Sequence, residues 1–161
     1  MREPKFSAWS RWAARGKLDQ IKGPGIYVIA VDERDLSGES FAWLDTVTYI
    51  GMTNAIGGIA SRLRQFDRTI AGKKKQHGGA DRFRFRHESY SKLLPELFVA
   101  IAPYPCDPSS NRPADLRIMG EVAMCEFECL ARFAQLHGRL PQFNDKRASP
   151  KYSRTNEQHL L

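Results

Sequence analysis

From Gly25 to Val31 the chain reads Gly-Ile-Tyr-Val-Ile-Ala-Val, apolar and rich in β-branched residues. The Gly23-Pro24-Gly25 breaker in front of it opens a strand over Ile26–Val31. A second strand is predicted over Thr46–Ile50, paired antiparallel to the first. Between them, Asp32 to Asp45 carries Ser37-Gly38 and is longer than a tight hairpin turn, so it reads as a loop. Downstream the period changes. Ile59, Leu63, Phe66 and Ile70 recur at spacings of four, three and four, the apolar stripe of a helix that begins near Gly58 and ends at Gly72. Leu97–Ala102 reads as a third strand, closed by Pro103 and Pro105. Pro113 suits a first helical position after Ser110-Asn111, and that helix runs to about His137 and stops at Gly138. Residues 7–21 read as a helix. Residues 81–90 fit either a strand, with Phe83 and Phe85 alternating with Arg82, Arg84 and Arg86, or a turn of helix. The order predicts an α+β domain with a small three-stranded antiparallel or mixed sheet flanked by helices. No internal repeat or linker divides it. It reads as one domain over 23–144, with an N-terminal helical extension at 1–22 and a basic tail at 145–161.

A length of 161 residues supports one core. No apolar run approaches the ~20 residues of a membrane span, and residues 1–22 lack the apolar stretch of a secretory signal. Cys125 and Cys129, four apart in a helical pattern, read as packing thiols. With Cys106 they make three cysteines without the Cys/His pairing of a zinc site. A reducing, cytoplasmic compartment is the expectation.

Charge changes the picture more. The net formal charge is +7, and it is unevenly distributed. Between Arg62 and His87 stand nine basic residues (Arg62, Arg64, Arg68, Lys73, Lys74, Lys75, Arg82, Arg84, Arg86) against Asp67 and Asp81. Asp32 to Asp45 is acidic. A local cationic excess is what a surface facing a polyanion carries, and a solvated helix face is the ordinary alternative.

Two three-residue runs then stand out. Gly25-Ile26-Tyr27 opens the first strand and Tyr49-Ile50-Gly51 ends the second. Met52-Thr53-Asn54 follows, then Arg62 in the first long helix, a glutamate in the last helix, and Pro141-Gln142-Phe143-Asn144. In that order, on those elements, the chain resembles the GIY-YIG nuclease family over residues 23–144. The resemblance implies metal-dependent hydrolysis of a DNA phosphodiester with Mg²⁺ or Mn²⁺. It implies that Tyr27, Tyr49 and Arg62 surround the scissile phosphate, with Tyr27 assigned the base role, and that a helix glutamate holds the metal. Such chemistry needs a fixed cation, a metal, and a group to orient or deprotonate water, because attack builds negative charge at phosphorus. DNA is the expected partner, with a homodimer or a recruiting protein as further possibilities. A non-catalytic nucleic-acid-binding module of the same fold is the alternative.

The residue pattern narrows some of these positions. Arg62 sits at the edge of the apolar stripe, with Ile59 and Phe66 as its helical neighbours, whereas Arg64 and Arg68 lie on an open polar face. Of Glu121, Glu126 and Glu128, Glu126 has the most apolar surroundings (Val122, Cys129, Leu130, Phe133). A carboxylate there is costly without a metal or cation. Asn144 fits turn chemistry, and the resemblance gives it a supporting role in the site. One departure stands out. Many members of the family carry a histidine four residues after the helix arginine, and Phe66 occupies that position here. His77, in His77-Gly78-Gly79, is the first candidate substitute and His87 the second. Arg64, Arg68, Lys73, Lys74, Lys75, Arg82, Arg84 and Arg86 are expected to contact the DNA backbone, which positions a protein without specifying sequence. Phe83 and Phe85 read as core.

Overall fold

The fold is that of a computed structural model, which describes residues 1–73 and 77–152. Its elements in chain order are β1 (Ser10–Arg11), a 3-10 turn (Trp12–Lys17), β2 (Gly25–Val31), β3 (Val47–Thr53), α1 (Gly58–Ile70), α2 (Gly78–Arg86), α3 (Tyr90–Leu93), a 3-10 turn (Leu94–Glu96), β4 (Leu97–Pro103) and α4 (Pro113–His137). The sheet has four strands in the order β1-β4-β2-β3, and every pairing is antiparallel. The expected three strands are present, and β1 adds a fourth.

Both faces of the sheet are covered, which is why its central strands read as unbroken apolar runs. Ile26, Val28 and Ala30 of β2 face one way with Phe98, Ala100 and Ala102 of β4, under Val122, Cys125, Cys129 and Phe133 of α4. Tyr27, Ile29, Val99 and Ile101 face the other way, under Ile59, Leu63, Phe66 and Ile70 of α1 and Phe83 of α2.

The helix expected over residues 7–21 forms only in part: Ser10 and Arg11 are a short strand paired with Val99 and Phe98, and a 3-10 helix of six residues follows at Trp12–Lys17. The reason is the two tryptophans. Trp9 is buried in the α4 layer and Trp12 in the α1 layer, on opposite faces of the sheet. A helix would turn positions three apart toward the same side, whereas a strand end sends them to opposite faces. Residues 1–22 are thus part of the fold rather than an extension of it. Trp12 Nε1 and Tyr90 Oη both donate to Asp67 Oδ1, at 2.8 and 2.7 Å, which ties the N-terminal segment to α1 and α3.

The ambiguous stretch at 81–90 resolves as helix through Arg86. Phe83 is fully buried, but Phe85 is 38% exposed and is not core. No helix among the described residues is long and apolar enough to cross a membrane.

Candidate active site

Tyr27 and Tyr49 come from adjacent strands and lie on the same face of the sheet, their ring centroids 6.1 Å apart. Each ring needs a glycine beneath it. Tyr27 is paired in register with Gly51, and a Cβ on Gly51 would collide with the Tyr27 ring. The second glycine of the paired motif is therefore a seat for the tyrosine of the first. Gly79 does the same for Tyr49, since a Cβ there would stand 2.5 Å from the ring. The second glycine of His77-Gly78-Gly79 thus has a packing role.

His77 joins the two tyrosines. It is the N-cap of α2, and its Nδ1 accepts from the backbone N–H groups of Gly79 (3.1 Å) and Ala80 (3.3 Å). An Nδ1 that accepts carries no proton, so the neutral ring bears its proton on Nε2. That Nε2–H donates to Tyr27 Oη at 2.8 Å. Burial, with Arg62 and Arg82 nearby, lowers the His77 pKa to about 3, so the ring stays neutral. Phe66 packs edge-on against it at 5.0 Å. The phenylalanine in the position where a histidine was expected thus walls a histidine supplied by another element. His87 instead lies against Phe83 and Phe143 at 6.1 Å each.

Burial, first, and then the neighbouring Tyr49 push the Tyr27 pKa well above its usual value, and Arg62 opposes them. Tyr49 is raised as well, by burial and then by Glu126, with Arg62 again opposing. Arg62 reaches this group from α1 and is held by Gln65 Oε1 at 2.9 Å.

Glu126 belongs to the same electrostatic cluster. Desolvation raises its pKa, while Arg62, Lys146 and a backbone hydrogen bond at Met52 lower it. Glu121 is engaged elsewhere, in an ion pair with Arg2 at 3.2 Å. Glu128 is exposed. Among the described residues no three His, Cys, Asp or Glu side chains converge as a metal-holding group. A single carboxylate of this kind suits a hard cation that takes one or two carboxylates and completes its shell with water and phosphate oxygens. It does not suit zinc.

Asn144 positions the backbone. Its Oδ1 accepts from Ile50 N–H and its Nδ2 donates to Ile50 C=O, both at 2.8 Å, and Phe143 N–H donates to Thr48 C=O at 2.9 Å. β3 is an edge strand, so its outward groups need partners. The 143–144 segment supplies them, on the two residues that flank Tyr49.

A cleft of about 660 Å³ opens beside the tyrosines, lined by Tyr49, Arg62, His77 and Arg82 on one side and by Lys146, Ser149 and Lys151 on the other. Of the expected backbone-contacting cations, Arg82 lines it. Arg84 lies over the Tyr152 ring at 4.0 Å. Arg64 borders a separate hollow near Arg15, and Arg68, Lys73 and Arg86 are exposed outside the cleft. Lys74 and Lys75 lie outside the described residues. Sequence reading missed Lys146, Ser149 and Lys151. The Asn144-Asp145 pair, whose Asp145 Oδ1 accepts from Arg147 and Ala148 N–H and closes a turn, was the available signal.

Comparison with protein-family models, with curated proteins and with solved structures finds no match to this chain.

Proposed function

We propose that this protein is a Mg²⁺- or Mn²⁺-dependent endonuclease that hydrolyses DNA phosphodiesters through a GIY-YIG site. The observation that carries the reading is one cation-lined cleft where Tyr49, Arg62 and His77 meet, from β3, α1 and the start of α2, with Tyr27 of β2 buried against His77 and Glu126 of α4 electrostatically coupled to Arg62 and both tyrosines. The resemblance in motif order supports it, as does the +7 charge.

In this mechanism Arg62 presents its permanently charged fork to the scissile phosphate and offsets charge that builds at phosphorus. Tyr49 orients a phosphate oxygen at the cleft wall. Tyr27 is the base in its phenolate form: its own proton must first pass to solvent through the cleft, and the phenolate then takes the proton of the attacking water. Burial holds Tyr27 protonated; the His77 Nε2–H donated to its Oη, Arg62 and a bound divalent cation would oppose that burial and favour the phenolate. His77 has no free lone pair, so it holds Tyr27 and does not relay the proton. Glu126 would hold the divalent ion, which supplies positive charge that favours ionised oxygens in the site. Asn144 fixes the backbone on either side of Tyr49.

The test is incubation with supercoiled plasmid and with a single-stranded oligonucleotide, each in Mg²⁺, in Mn²⁺ and in EDTA, beside Glu126→Ala. Metal-dependent cleavage lost in the variant is the expected result. Cleavage that survives Glu126→Ala would remove the metal-ligand assignment. Salt-sensitive binding without cleavage of either substrate would favour the non-catalytic binding module.

A further inference from the structure

The segment after Asn144 reads in sequence as a basic tail, and residues 145–152 of it are docked. Asp145 C=O accepts from Ser149 N–H at 3.1 Å, and Ser149 is buried with its hydroxyl donating to Gln142 C=O. Arg82 Nε donates to Ser149 C=O at 3.2 Å, and its Nη1 donates to Gly78 C=O at 3.3 Å. Arg84 stacks on Tyr152. α2 and the C-terminal segment therefore meet as one wall, and Lys146 and Lys151 flank the cleft from that side.

The described lining is cationic. Arg62, Arg82, Lys146 and Lys151 line the cleft, and among the described residues no carboxylate does. Arg82 donates to two carbonyl oxygens, those of Ser149 and Gly78, which satisfy N–H groups without cancelling the positive charge. The first-turn N–H groups of Gly79 and Ala80 are already taken by His77, so the anion-binding capacity resides in side chains. A volume of about 660 Å³ lies in the range that encloses a nucleotide-sized ligand rather than a lone phosphate. Arg62 stands at the tyrosines, whereas Arg82 contacts the docked segment.

We infer that the cleft is a two-phosphate site. Arg62 takes the phosphate to be cut, and Arg82 with Lys146 and Lys151 takes the neighbouring phosphate of the same strand. The C-terminal segment is then a part of substrate binding, and the ligand class is a nucleotide chain carrying adjacent phosphates. This rests on the nuclease reading for what happens at Arg62 but not for what binds at Lys146 and Lys151.

Binding is measured in EDTA, so cleavage plays no part. The probe is a fluorescein-labelled single-stranded dT 12-mer, titrated across a range of salt with wild type and with Lys146→Ala/Lys151→Ala. Both lysines are solvent-accessible, and a thermal melt of the double variant checks its fold. Two lost phosphate contacts at about 0.7 each on a single strand should lower the salt slope by about 1.4. A roughly tenfold weaker Kd at moderate salt should accompany it. Lys5→Ala/Arg117→Ala, which removes the same charge outside the cleft, should change the slope by less than half as much. Thymidine 3′,5′-bisphosphate should compete at least tenfold better than thymidine 5′-monophosphate, and inorganic phosphate no better than the monophosphate. The lysine double variant should erase that difference. Unchanged affinity and slope in the cleft variant would overturn the inference, as would equal losses in both double variants, equal competition by the mono- and bisphosphate, or no binding by wild type. A lysine-dependent, bisphosphate-preferring site in a protein that fails to cut with Mg²⁺ would uphold it while removing the nuclease reading.

Discussion

Tyr27 and Tyr104 are both buried, on opposite faces of one sheet, and their hydroxyls are used in opposite senses. Tyr104 Oη donates to Cys125 Sγ at 3.3 Å, and Cys125 lies 3.8 Å from Cys129 Sγ. It is a phenol spending its proton on a soft acceptor, and burial and Cys125 push its pKa up. Tyr27 Oη instead accepts from an imidazole N–H and stands near a guanidinium. Burial alone raises the pKa of both and makes neither reactive. What separates them is the direction of the hydrogen bond, together with a cleft on one side and α4 on the other.

The sharpest test of that contrast removes one oxygen from each. Tyr27→Phe should lower single-turnover cleavage of plasmid by on the order of 10²–10⁴-fold, the range for loss of a general base. Tyr104→Phe should leave it within about twofold. Equal effects from the two would break the comparison.

The next effect is on stability. His77 is neutral when folded, with a pKa of about 3, whereas an unfolded histidine titrates near ~6.5. Between those values the unfolded chain binds a proton that the folded chain does not. Stability therefore falls as pH drops from ~6.5 toward 3, by up to a few kcal/mol. His77→Asn keeps a capping side chain and should flatten this acid slope in urea melts at pH 7, 5 and 4. His87, also depressed by burial, acts in the same direction, so the slope should shrink rather than vanish. An unaltered slope would show that His77 charges freely in the fold.

The smallest effects come from two glycines. Gly79→Ala drives a methyl into the Tyr49 ring and should cost about 1–3 kcal/mol. Gly120→Ala, in α4 on the Tyr104 side, meets nothing within 4 Å and should stabilise by about 0.5–1 kcal/mol. Chemical denaturation of both variants reads the difference in sign.

The strands and the two long helices were legible because their periods are strong: an unbroken apolar run in β2 and β4, and a stripe of four residues in α1. The shortening of the expected N-terminal helix was not, because only the finished sheet shows that Trp9 and Trp12 must bury on opposite sides. Tyr27, Tyr49 and Arg62 could be singled out from motif order and from helix position. The meeting of His77 with Tyr27 spans fifty positions and depends on an imidazole capping α2, which no local pattern announces. Lys146 and Lys151 were read as tail charge for a similar reason. Their place is set by Arg82 and Arg84, more than sixty residues earlier, gripping the chain at Ser149 and Tyr152.

The double grip of Asn144 on Ile50 gives the molecule a built-in reporter. The Ile50 amide is bonded to a side chain from a segment far along the chain rather than to a neighbouring strand. Its hydrogen exchange is therefore gated by detachment of residues 143–144 and not by melting of the sheet. Fast exchange at Ile50 beside slow exchange at Val28, its register partner in β2, would reveal an opened molecule in which the edge strand has lost its cover and the Tyr49 backbone its brace while the core remains folded. A polyanion seated against Lys146 and Lys151, as inferred above, would hold that segment down, and occupancy of the cleft would then be readable as slowed exchange at one backbone amide.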